Sequence, residues 1–475
     1  MDIEATKLEI ESVTDFQKSL HFPIHPDQPF TSKFYREYLK TTWYCSSSMA
    51  LKSAEEGDEV LYTLNPTFHY LMYTYMAFTL PPIKVKESHN KKIRIGWCHN
   101  IGTNIIEKAS FKEDELTYQT FDNIWLDDYF QFYMAPGAGK RRNHKIGVGS
   151  VPFLEDWDDA LPTYPIDVEQ PWFYGEETAV AYPIFLRNSQ VRAEHRYTYR
   201  RKISDLLRMQ IYNKNIDTWT SVHPAQYMKY LQIGRSITIQ KPLLWAKYSY
   251  ITNEELNTLK CKKELTFYIK DVEICDAQNP NRFDTTADIP LICTNPCLAM
   301  FWKAENMDAS GLNNYSNYTC NTDDLYSGWD VIGTTTLKYG TKYKLRNMES
   351  HHFNIAESRK HFLSSPNETG YHGYSFAWNS SNYDGEVGVV LSKLNAKLIC
   401  KISNNDIRNM VYREDANMNN NVENESFDYL LDDHEPIEPL KIKDSPNFIT
   451  RVRLLVLKKL TMTKNPSGDY TFALC

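Results

Sequence analysis

The chain has 475 residues, too many for one hydrophobic core and enough for two domains, because single cores stop growing near ~250–300 residues. Its 53 Lys+Arg against 60 Asp+Glu give a net charge of −7, which excludes a protein that coats naked DNA through a basic footprint. Aromatics make up 13% of the chain, with 32 Tyr and only 18 Gly; this excludes low complexity and favours packed strands.

Taken in chain order, the first sixteen residues carry acidic side chains where a secretory leader needs a basic and then an apolar stretch, so synthesis in a cytoplasm is expected. Residues 1–25 read as an arm. Ile3, Leu8, Ile10, Val13, Phe16 and Leu20 have partial helical spacing there, suited to packing on the arm's own domain or to docking on a neighbouring subunit. The greasiest run, 70–83, is broken by Pro81 and Pro82 and falls short of the ~20 apolar residues of a membrane-spanning helix. Lys92-Ile93-Arg94-Ile95 alternates with period two, as a half-buried strand does. The acid pairs Asp127-Asp128 and Asp158-Asp159, read on strands, point to opposite faces and so cannot flank one scissile bond. Residues 135–140 resemble a phosphate loop only in part: Met134 stands where the first glycine belongs and Arg141 follows Lys140, which leaves a basic surface loop continued by Arg142 and Lys145. Arg200, Arg201 and Lys202 read as a solvated face, with contact residues as the alternative.

Leu243-Leu244-Trp245-Ala246-Lys247-Tyr248 is strand-like, and Thr252 with Glu255 then forms a capping box for a helix carrying Leu256 and Leu259. That helix is a natural joint and sets the boundary between 26–260 and 261–475. Beyond it, Lys342-Tyr343-Lys344-Leu345-Arg346 and Arg451-Val452-Arg453-Leu454 alternate, and 397–402 places Leu398, Cys400 and Ile402 on one face. One apolar and one wet face per strand indicates β-sandwiches. Residues 404–446, rich in Asn and then in Asp and Glu, read as a long exposed loop. Large aromatics at strand positions, Trp245, Tyr248 and Trp302, are assigned to sandwich cores.

Signals for chemistry are sparse. The nine cysteines show no framework spacing and read as reduced thiols, with Cys293 and Cys297 as core residues rather than zinc ligands. His351, His352 and His361 lack a supporting carboxylate cluster and read as surface histidines. Sequons start at Asn314, Asn317, Asn367, Asn379 and Asn424 but matter only in a secretory lumen. No nucleophile elbow or metalloprotease motif occurs, so no catalytic, cofactor-binding or metal residues are assigned and the chain is read as a non-enzyme.

Six segments in order resemble the double jelly-roll major capsid proteins of nucleocytoplasmic large DNA viruses. They are Phe34-Tyr35-Arg36-Glu37-Tyr38; Phe78-Thr79-Leu80-Pro81 with Ile95-Gly96-Trp97; Gln170-Pro171-Trp172-Phe173 with Ala181-Tyr182-Pro183-Ile184; Leu244-Trp245-Ala246-Lys247-Tyr248-Ser249-Tyr250; Asn295-Pro296-Cys297-Leu298 with Phe301-Trp302; and Phe353-Asn354 with Tyr374-Ser375-Phe376-Ala377. The fourth is similar to the family's segment at the junction of its two jelly rolls. The chain departs from the pattern at 383–393 and 457–462, and 404–446 has no counterpart in typical members, so it is identified as a divergent member.

The resemblance implies an all-β fold of two consecutive eight-stranded jelly-roll sandwiches with long loops and a few short helices. It implies homotrimers tiling an icosahedral shell as pseudo-hexagonal capsomers, with minor capsid and penton proteins as partners, no direct nucleic-acid contact, no cofactor, and assembly into virions in the host cytoplasm. The net charge of −7 suits a shell held at a distance from its genome. The alternatives are a scaffold of immature particles with the same fold or, from another class, a β-sandwich that binds or cleaves glycans.

Overall fold

The structure, a computed structural model, describes residues 44–474 except 90, 135–146, 148–151, 177–179, 188–191, 214–216, 235, 379, 381–387, 404–446 and 467–469; Leu8 is described besides. The phosphate-loop-like stretch, the 404–446 loop and all of the arm but Leu8 therefore lie outside the described residues.

Strands dominate, and the strand pairings described are antiparallel. In the first half, one sheet orders Tyr44–Ala50, Leu243–Ile251, Tyr70–Leu80 and Tyr164–Glu169. A second orders Lys52–Glu56, Glu59–Thr63, Ala193–Tyr199, Ile106–Glu113 and Leu116–Asp122. Their inner faces share one core through Tyr70, Met76, Leu244 and Tyr248 on one side and Val60, Ala109, Phe111 and Tyr197 on the other. In the second half, Glu264–Ile274, Phe448–Lys464, Cys297–Asn306 and His372–Ser375 form one sheet. Thr286–Pro290, Ala396–Ile402, Ile332–Tyr339 and Lys342–Glu349 form the facing one. Trp302, Val452, Leu454, Leu398 and Cys400 fill the space between them. Two helices of eight residues or more stand among the described residues, α1 (Asn123–Phe132) and α2 (Asn253–Lys260). No described strand before α2 pairs with one after it.

The predicted strand faces hold at Leu398, Cys400 and Ile402, all buried. Two expectations need correction. Trp245 is only half-buried: Leu244, Ala246 and Tyr248 take the inner face, so Trp245 points outward and stacks on Tyr75 with ring centroids 6.2 Å apart. Arg453 was expected on a wet face and is 1% exposed instead. The cause is a third layer. The sheet carrying Phe448–Lys464 packs one face on its partner sheet and the other, through Phe301, Leu455, Leu460 and Met462, on the core of the first half. Strand Cys297–Asn306 is accordingly buried at every position, as a strand covered on both faces must be.

The remaining sequence assignments sort by burial. Cys293 and Cys297 are buried free thiols, pushed up by burial. His351 is exposed, and among the described residues no group of three or more His, Cys, Asp or Glu side chains is placed to hold a metal ion. Asn314 and Asn317 are buried, which removes two sequons from any surface. Arg201 reaches Glu55 at 3.0 Å on the surface, but Arg200 is not simply solvated: it donates to the Asn104 carbonyl at 3.0 Å and lies 4.5 Å from the Tyr315 ring centroid. Leu8 packs against the second core.

Candidate functional site

A dense constellation of charged and polar side chains lies in the seam between the halves, and α1 builds it. Asp122 caps the helix by accepting from the Trp125 amide at 2.9 Å. The Asp127-Asp128 pair therefore sits on a helix, where neighbours lie about 100° apart, and not on a strand. Both carboxylates are buried. The sequence did hold a signal for α1: an N-cap residue ahead of Trp125, Tyr129 and Tyr133 at fourfold spacing.

Asp127 accepts from Thr103 (2.8 Å) and Asn100 (3.3 Å) of the first half and from Ser316 (2.6 Å) and Tyr318 (2.9 Å) of the second. Burial lifts its carboxyl above the ordinary range in spite of Lys303 and these donors. Asp128 faces Lys303 at 2.8 Å with neither side chain exposed. Lys303 also donates to the Ile124 carbonyl at 3.0 Å and lies 4.5 and 4.7 Å from the ring centroids of Tyr318 and Tyr371. Burial pushes Asp128 up to about 6 against the pull of Lys303. Arg453 donates to both oxygens of Asp122, at 2.6 and 3.2 Å, and to Asp276. For Asp122, burial works against the charge, but Arg453 wins and holds the carboxyl below its usual range.

A second fastening centres on His99, fully buried between Glu155 at 2.9 Å and Glu368 at 3.0 Å, with Tyr326 donating to Glu155 at 2.9 Å. Burial disfavours the charged ring, yet the two carboxylates outweigh it and hold His99 well above the ordinary histidine value. Between the polar groups, Phe301 packs against Trp125 (centroids 5.5 Å), Phe132 (5.0 Å) and Phe362 (5.3 Å). These carboxylates and cations are turned to one another across the seam. Buried ionic networks of this kind contribute little net stability, but loss of one partner leaves an uncompensated buried charge and is strongly destabilising. The arrangement fastens two sandwiches into one block.

The family described as "Large eukaryotic DNA virus major capsid protein" matches residues 259–430. The major capsid protein of Invertebrate iridescent virus 6 is 24% identical over 382 residues, covering 73% of this chain and 78% of that protein. Among solved structures, PBCV-1 VP54 superposes with a TM-score of 0.62 at 11% identity, over 94% of this chain and 99% of that one. The Faustovirus major capsid protein gives 0.61 at 6% identity, over 96% and 98%. At such identities the superpositions speak for the fold. Two antiparallel sandwiches in one chain, fastened through a shared sheet, are the double jelly-roll fold of these structures. The family match at 259–430 and the 24% identity to an iridescent virus protein place the chain's resemblance with the major capsid proteins of large DNA viruses. Its relatives are structural proteins and not enzymes.

Proposed function

We propose that the chain is the shell subunit of an icosahedral large DNA virus and works as a homotrimer. Residues 26–260 and 261–475 would be its two jelly rolls, so three chains supply six for a pseudo-hexagonal capsomer. Such a tile makes nearly equivalent contacts with all its neighbours in a flat lattice. The observation that carries the reading is the fastened seam: a tile bearing lattice forces must not hinge between its halves. Exposed large apolar side chains, among them Ile237, Ile292 and Trp378, give a trimer surface to cover. Assembly in the host cytoplasm and contacts with minor capsid and penton proteins belong to the same reading.

The test is light scattering on the purified protein, with an expected mass three times the 55.6 kDa of the chain. A stable monomer overturns the capsomer. Abundance in mature particles then separates a shell protein from a scaffold that is removed during maturation.

A further inference from the structure

The outward face of the sheet containing Ile106–Glu113 holds a trough of about 190 Å³ lined by Glu59, Lys108, Ser110, Lys112, Thr117, Thr120, Arg196 and Thr198. Its construction follows from strand register. Lys108, Ser110 and Lys112 alternate along one strand and so share a face. Arg196 and Thr120 flank Ser110 on the two neighbouring strands. Serine between two lysines makes a low floor with long cationic walls.

The lysine and serine donors here are unspent. Three arginines of the same half are matched: Arg200 with Glu107, Arg201 with Glu55, and Arg187 with Glu113. Arg196 is held in place by Glu194 at 2.6 Å and Glu59 at 3.4 Å. Lys108 and Lys112 have no acidic partner among the described residues. The hydroxyl of Ser110 makes no hydrogen bond there either, although Ser110 is only 7% exposed. Two ammonium groups, four hydroxyls (Ser110, Thr117, Thr120 and Thr198) and an anchored guanidinium thus line a small space, with Glu59 as the one acid among the lining residues.

We infer that this trough binds a tetrahedral oxyanion, a phosphate or sulfate group, free or carried as a small ester. Charge-assisted hydrogen bonds from ammonium and hydroxyl donors are what such a group recruits.

Titration calorimetry of the full chain with inorganic phosphate, inorganic sulfate and glycerol phosphate, at constant ionic strength set with chloride, tests it. Saturable one-site binding of at least one of them is expected, weakened about tenfold by Lys112→Gln and further by adding Lys108→Gln. Ser110→Val, which places a methyl group on the floor, is expected to weaken binding with no loss of secondary structure by circular dichroism. Preference for inorganic ions over the ester would identify a closed ion site, and preference for the ester an open one. Heats that do not saturate, or binding unchanged in the double lysine variant, would overturn the assignment.

Discussion

Lys303 and Asp128 meet at 2.8 Å across the seam, one from a strand of the second half and one from α1 of the first, and neither side chain is exposed. The pair sits inside a ring of groups that are themselves shared between the halves: Tyr318 and Tyr371 around the ammonium, and Asp127 one residue along the helix. A contact of this kind costs desolvation on both sides and repays it only when both partners are present.

Lys303→Met is therefore expected to destabilise the chain by about 3–5 kcal/mol, because Asp128 is left charged and unmatched in a closed space. Asp128→Leu combined with Lys303→Met removes both charges at similar volume and is expected to recover most of that loss. Urea unfolding of the two variants measures it. Equal instability of single and double variants would mean that packing, not charge pairing, holds the position.

Phe301 is the apolar counterpart. Its ring touches Trp125 and Phe132 from the first half and Phe362 from the second. Phe301→Ala is expected to cost about 3–5 kcal/mol. Hydrogen exchange should then quicken in α1 more than in strand Ala396–Ile402, which packs in the other core. Uniform quickening would show that the seam opens only with global unfolding.

Gly370 is a backbone requirement at the same place. Its φ is +93°, and a Cβ there would run into the carbonyl of Tyr318, the residue whose ring lies over the Lys303 ammonium. Gly370→Ala is expected to lose about 1–3 kcal/mol. Thermal unfolding in parallel with Gly57→Ala, whose φ is +61° but whose Cβ meets nothing within 4 Å, separates close approach from strain alone.

The sandwich strands were legible because alternation is a local property: Leu398, Cys400 and Ile402 needed only their own spacing to be assigned inward. The helix α2 announced itself through Thr252, whose carbonyl accepts the first helical hydrogen bond from Leu256 at 3.0 Å. The seam was not legible, because it is made by residues far apart in the chain. Arg453 has the pattern of a solvent-facing residue, and only the packing of a third layer turns its outer face into an interior. Asp127 and Asp128 were misplaced for a related reason. The apolar residues around them cover nearly every side of α1, so the one-faced periodicity that marks a surface helix is absent. The departure from the pattern was itself the signal of a helix buried between domains.

The seam also carries a pH dependence whose sign follows from its two titrating centres. His99 is raised in the folded chain, so its ion pairs contribute fully below the unfolded value of ~6.5, and the contribution is lost as pH rises through the ring's higher folded value. The groups facing the ring are Glu155, Glu368 and Tyr326, with Arg208 donating to the Glu155 carbonyl at 2.6 Å. Asp128 moves from 3.8 to about 6, so its carboxylate is a cost that appears as pH rises through that interval. Both centres make the block less stable on the alkaline side of their windows. The melting-temperature gap between wild type and His99→Gln is expected to be widest below the unfolded value of ~6.5 and to narrow as pH rises through the ring's higher folded value. Asp128→Asn should instead flatten the slope between about pH 4 and 6 and leave the alkaline limb intact. A gap for His99→Gln that stays constant across the whole range would mean that the ring is neutral in the fold, and that its two carboxylates are held by hydrogen bonds alone.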